Sequence, residues 1–316
     1  MKMTPFPKIL TVGIGVAIAG LSFHSAQAAS ATWTGATDAT WAGTGNWTAT
    51  PVPGTGDVAG FVNSSATVNG NTTIDLGSGV TVGGIAFDTA SAAAYTIGSG
   101  GVGAQTLTLT DTATVNMTST VANDELINAN VVLGTAITGT TTITNASTTN
   151  SLTIAGTITG GTGGTAGTKS LNTAGAGAIN LQGTITNGGA TLININNGGS
   201  GNTTLSGSGT ATYGTLTATA AGTLTVNNAS ANITVNSLSK YGASSNFGKF
   251  ILTNGTIAFN GGLSSGTSSG ALAGSDGMAF IVNGGTFAYR LGCSWSFLFL
   301  FVYRGSDCKH GCEHGN

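Results

Sequence analysis

Thr106-Leu107-Thr108-Leu109-Thr110 is the stretch that decides the fold. An apolar residue alternates with threonine, the two-residue period of a strand with one face buried and one face wet. Threonine is β-branched and suits the exposed side of such a strand. The same alternation returns in Ser151-Leu152-Thr153-Ile154, Gly222-Thr223-Leu224-Thr225-Val226-Asn227, Asn232-Ile233-Thr234-Val235-Asn236 and Phe250-Ile251-Leu252-Thr253-Asn254. Glycine and asparagine punctuate the ends, because both tolerate the left-handed backbone that corners need.

Some copies extend beyond one strand. Gly156-Thr157-Ile158-Thr159-Gly160-Gly161 recurs as Gly183-Thr184-Ile185-Thr186-Asn187-Gly188-Gly189. The run from Phe250 to Phe259 is echoed from Phe280 to Tyr289. The period is imperfect, which predicts a β-solenoid with variable corner loops. Coils of about 20–25 residues would number on the order of ten. Stacked at strand spacing they would make a rod roughly 50 Å long.

Composition supports the stack. Of 316 residues, 6% are charged and 53 are glycine, against roughly 25% and 7% in an ordinary soluble domain. Parallel coils bring equivalent residues about 4.8 Å apart. A charge repeated at one coil position would meet its own kind above and below, whereas threonine, asparagine and serine can hydrogen-bond there. No apolar run reaches the roughly 18–20 residues of a spanning helix. Disorder is disfavoured too, since the β-branched content is high and the formal net charge is only −2.

Four regions separate along the chain. Lys2 and Lys8, the apolar run Ile9 to Leu21, and the small-x-small site Ala26-Gln27-Ala28 read as a cleaved secretory leader over 1–28. Losing those two lysines takes the net charge from −2 to −4, so no electrostatic case exists for nucleic acid or an anionic membrane. Residues 29–62 are tryptophan-rich, residues 63–289 form the repeat body, and residues 290–316 are an atypical tail. All three cysteines (Cys293, Cys308 and Cys312) lie in that tail. The body is therefore expected to fold without disulfides.

The order Trp33-Thr34-Gly35, Trp41, Asn46-Trp47, then Pro53-Gly54-Thr55-Gly56-Asp57-Val58-Ala59-Gly60-Phe61, is followed by Val82 to Asp88, Ala94-Tyr95-Thr96-Ile97 and Leu107-Thr108-Leu109. Over about Ala31 to Tyr289 this resembles bacterial proteins with autotransporter-associated β-strand repeats. The resemblance implies a right-handed parallel β-helix with a Trp-rich N-terminal cap, the passenger region of an outer-membrane autotransporter. It implies display at, or release from, a Gram-negative surface, with surface glycans or other cells as partners. It brings no catalytic residues and no cofactor. The chain departs from that pattern in having no C-terminal barrel sequence, so outer-membrane association is expected only where a barrel is supplied.

In the tail, threonine gives way to Phe297-Leu298-Phe299-Leu300-Phe301-Val302-Tyr303. The change of alphabet in mid-repeat points to a shift of reading frame near Ala288 to Leu291. Cys308, His310, Cys312 and His314 alternate, but they lack the ligand gaps and the second half-site of a structural zinc centre, so no metal is expected.

Other motifs lose to their context. Gly98-Ser99-Gly100-Gly101-Val102-Gly103 precedes a strand rather than a helix, which removes the dinucleotide reading. Gly262 to Gly266 and Gly266 to Gly270 match a nucleophile elbow, yet the body holds no histidine to serve as base. The Gly160 to Gly167 run lacks the aspartates of calcium-binding repeats. Asp57, Asp75, Asp88 and Asp111 are the remaining acid–base candidates, and their places beside turns favour capping over catalysis. Trp33, Trp41 and Trp47 could stack on sugars or plug the first coil, and burial area favours the plug. The functional expectation is a non-enzymatic passenger with an adhesive or scaffold role. The alternatives are a β-helical polysaccharide-degrading enzyme and a carbohydrate-binding module built on the tryptophan segment.

Overall fold

The computed structural model describes residues 30–163, 167–190, 192–219, 222–241, 249–259, 263–264, 279–289 and 301–303. The leader, most of the tail and its Cys/His cluster lie outside the described residues. The chain is all-β, a parallel β-solenoid of about eight turns. Among the described residues the helical content is a single 3-10 turn, Thr44–Asn46.

Each coil lays strands on three faces. The first face stacks Ala31 on Ala59, Ala59 on Ile85, Ile85 on Val115 and Val115 on Ile143. The second stacks Ile74, Ile97, Ile127, Ile154, Leu181, Leu205, Val226 and Leu252 in one unbroken aliphatic column. The third runs Val80, Leu107, Val131, Ile158 and Ile185. Long strands such as Val80–Phe87 and Thr106–Met117 cross from the third face to the first. Their mutual register slips between Val82 and Gly84, where the chain rounds that edge.

The alternation explains the burial. In Thr106–Met117 the leucines at 107 and 109 point inward and the threonines between them face out. The members of the second-face column are all buried, and each such side chain contributes about 1.5–3 kcal/mol by leaving water. Outward residues bond along the stack instead, as where Asn196 Nδ2 donates to Asn172 Oδ1 at 2.8 Å and Asn254 Nδ2 to Asn227 Oδ1 at 2.9 Å.

Coils are longer than the repeats suggested. Ile195 pairs with Leu216, 21 residues on, but Ile97 pairs with Ile127, 30 residues on. The surplus residues go into corners, and so the turns are fewer than ten. Corners also explain the glycine content. A Cβ on Gly156 would strike the carbonyl of Ala129, one on Gly183 the carbonyl of Gly156, and one on Gly207 the carbonyl of Gly183. Successive coils touch backbone to backbone there. At the far end, Phe301–Tyr303 adds a rung to Ala279–Val282.

Candidate functional site at the tryptophan cap

The tryptophan-rich segment is both cap and first rung. Ala31–Thr32 and Val58–Phe61 already belong to the first face. Between them the chain folds across the end of the stack, with an antiparallel bridge from Trp33 to Trp47. Asp75 N donates to Ala39 O and Trp41 N to Asp75 O, both at 2.8 Å. The cap thereby supplies partners to backbone groups of the exposed second-face edge, which would otherwise be open to another chain.

Trp33, Trp41 and Trp47 are 0%, 2% and 5% exposed. The Trp33 and Trp47 rings meet edge-on at 5.0 Å, and Trp41 and Trp47 at 4.8 Å. Phe61 lies about 6 Å from all three and passes the contact on to Phe87 and Tyr95. Each indole N–H has a carbonyl acceptor: Trp33 on Asn71, Trp41 on Pro53 and Trp47 on Trp41. Protein covers the ring faces that a sugar would need.

Asn46 holds the cap loop together. Its Oδ1 accepts from Thr37 N, Thr37 Oγ1 and Asp38 N, while its Nδ2 donates to Asp38 Oδ1 and Thr40 O. Beside this loop a groove of about 590 Å³ opens between Thr40–Ala42 and Val52–Pro53 on one side and Asp75–Thr81 on the other. Asp75 is its acid. The amide of Gly77, and then Gln105 Nε2, donate to Asp75 Oδ1 and hold its pKa below the ordinary carboxylate value. Asp38 lies near enough to oppose that shift, while its own pKa is lowered by the amide and hydroxyl of Thr40 and by Asn46.

The other acids sit apart, each in a structural bond. Asp57 caps its turn by accepting from Gly54 N at 2.7 Å. Asp88 Oδ1 accepts from Thr118 Oγ1 at 2.6 Å and from Thr89 N at 2.7 Å, which ties one coil to the next and lowers its pKa. Asp111 pairs with Lys169 Nζ at 2.8 Å. Among the described residues no three His, Cys, Asp or Glu side chains gather as a metal site.

Two buried charged groups stand outside those motifs. Lys169 is fully buried, and its ammonium also donates to the carbonyls of Ala136 (3.0 Å) and Thr138 (3.1 Å). It pins the Gly134 to Thr138 loop from the coil above. A Cβ on Gly134, at φ +73°, would collide with Asp111. Glu125 is 1% exposed inside the second face. Its Oε2 accepts from Tyr95 N at 2.9 Å, and its Oε1 has no hydrogen-bond partner. Burial, aided by nearby Asp124, pushes its pKa up to about 8. Strand parity was the signal for both: Glu125 shares the inward phase with Ile127, and Lys169 with Leu171.

Searches of protein-family models, curated proteins and solved structures found no match to this chain.

Proposed function

We propose that this chain is an exported, non-enzymatic β-solenoid passenger that works in adhesion or as an extracellular scaffold at a Gram-negative surface. The observation that supports it most is the wall itself: stacked parallel coils with threonine and asparagine outside and aliphatic columns inside. Such a body offers a long, neutral, hydrogen-bonding surface. The acids Asp57, Asp88 and Asp111 are each engaged in turn or inter-coil bonds, as expected of a scaffold. The order of the Trp segment and the β-repeats adds the likeness to autotransporter passengers.

The test is display. The chain is fused to a translocating barrel in a non-adherent Gram-negative host and compared with cells carrying the barrel alone. Increased cell–cell aggregation or attachment to coated surfaces is expected. Equal behaviour of the two strains refutes the adhesive role. Release of sugar products from a polysaccharide, abolished by Asp75→Asn or Asp88→Asn, would favour the enzyme instead.

A further inference from the structure

The first face differs from its neighbours in its outward rows. On the second face the outward row runs Thr96, Leu126, Thr153, Asn180, Thr204, Thr225 and Ile251. On the third it runs Thr108, Val132, Thr159 and Thr186. A valine breaks the third row, and between Leu126 and Ile251 the second face keeps four polar rungs with only Asn202 and Thr223 beside them. On the first face Thr114 pairs with Thr142, Thr142 with Asn172, and Asn172 with Asn196, without interruption. A second row, Thr140, Ser170 and Asn194, runs beside it. The register continues from Asn196 to Thr217, where Thr217 is only 8% exposed. The open row therefore ends at Asn196.

These rungs repeat about every 4.8 Å, so the four of them span roughly 14 Å. Hydroxyls and amides supply both donors and acceptors. The face also lacks charge: Lys169, on the strand carrying Ser170 and Asn172, points inward with no exposure and holds Asp111. A polyanion or polycation would find no counter-charge here. A fitting partner is uncharged, repeats along the axis at nearly the coil spacing, and presents hydroxyls on each repeat. A linear polysaccharide has this form, since each sugar in an extended chain advances about as far as one strand spacing.

We propose that the first face, between Thr114 and Asn196, binds a neutral linear polysaccharide lengthwise, with about one sugar per coil. This rests on the adhesive or scaffold reading and names the partner and surface it would use. Each rung contributes little alone, so affinity builds with the number of rungs engaged.

The test uses the full exported chain. Retention is measured on cellulose, β-1,3-glucan, β-mannan and xylan, with polygalacturonate as charged control. Calorimetry then follows cello-oligosaccharides of two to six sugars. Retention on a neutral polymer but not on polygalacturonate is expected. So is oligosaccharide affinity that climbs by about tenfold or more with length, and a loss of about tenfold in Asn172→Ala. Thr142→Val, outside the Asn172–Asn196 amide pair, serves if Asn172→Ala does not fold. Absence of retention on all four neutral polymers overturns the proposal. So do unchanged binding in a folded variant and a face that instead joins two copies of the chain, seen as a dimer that Asn172→Ala dissociates. Adhesion of displaying cells is scored in parallel. Intact adhesion without polysaccharide binding removes this ligand and leaves the adhesive role standing, whereas loss of both removes the role as well.

Discussion

Glu125→Gln isolates the effect of one buried carboxyl. In the folded chain Glu125 titrates at about 8, against an ordinary 4.5. Below pH 4.5 both folded and unfolded chains hold the proton, and the group has no influence on the balance. Between about 4.5 and 8 only the folded chain holds it, so unfolding releases a proton and stability falls as pH rises. The slope is about 1.4 kcal/mol per pH unit, so the total is on the order of 5 kcal/mol across that window. Above 8 both states are ionised and the loss is complete. Asp38, Asp75 and Asp88 are held lower by their hydrogen bonds, away from that window, and burial pushes Tyr95 up to about 12, beyond it. Glutamine keeps an acceptor for Tyr95 N and cannot ionise. Its amide leaves unpaired donors that cost about 1–3 kcal/mol, independent of pH. Thermal unfolding by circular dichroism is read at pH 5, 6, 7 and 8. Because coils unfold with their neighbours rather than all together, amide exchange at Tyr95 and Leu126, whose N–H donates to Tyr95 O, is followed alongside. Wild type should weaken steadily across the series while Glu125→Gln stays level. Equal stability of wild type at pH 5 and pH 8, or the same slope in the variant, refutes the reasoning.

Lys169→Met should destabilise by about 3 kcal/mol, the low end of the range for breaking a buried pair, because Asp111 is 38% exposed. Faster amide exchange over Gly134 to Gly139 should accompany it, and exchange confined to other coils would contradict the assigned role. Trp33→Ala should cost about 3–5 kcal/mol and quench the near-ultraviolet signal of the cap. Exchange should quicken at Val58–Phe61 more than at Leu192–Asn197; a uniform change along the rod would show that the cap does not act locally. Asp75 has a lowered pKa, so its contribution is present above 3.8 and is lost as pH falls through the folded value. The fall in melting temperature from pH 5 to pH 3 should therefore be shallower in Asp75→Asn than in wild type, and parallel curves would argue against it.

The strands and their inward residues were legible because alternation is a local property. Leu107, Leu109, Ile154 and Ile233 could each be placed from their immediate neighbours. Coil length was not, because it depends on which distant strand a segment pairs with. The 21-residue step at Ile195 and the 30-residue step at Ile97 bring alike inward residues together and differ in the corners between them. At the cap, three tryptophans in 15 residues announced an aromatic cluster, but the hub role of Asn46 depends on a loop path that composition does not encode. Glu125 and Lys169 were hidden for another reason. Charge marks such residues for the surface, and only their phase along the strand turns them into the core.

The contact of Gly156 with Ala129, and of Gly183 and Gly207 with the corners below, places the coils against each other without any side chain between them. That edge sets the pitch of the rod. A methyl inserted there would act as a shim on one side only, and the stack would answer by bending away from it. The coil spacing along that edge, in a molecule whose outward rows mix threonine with asparagine, is kept by residues that carry no side chain at all.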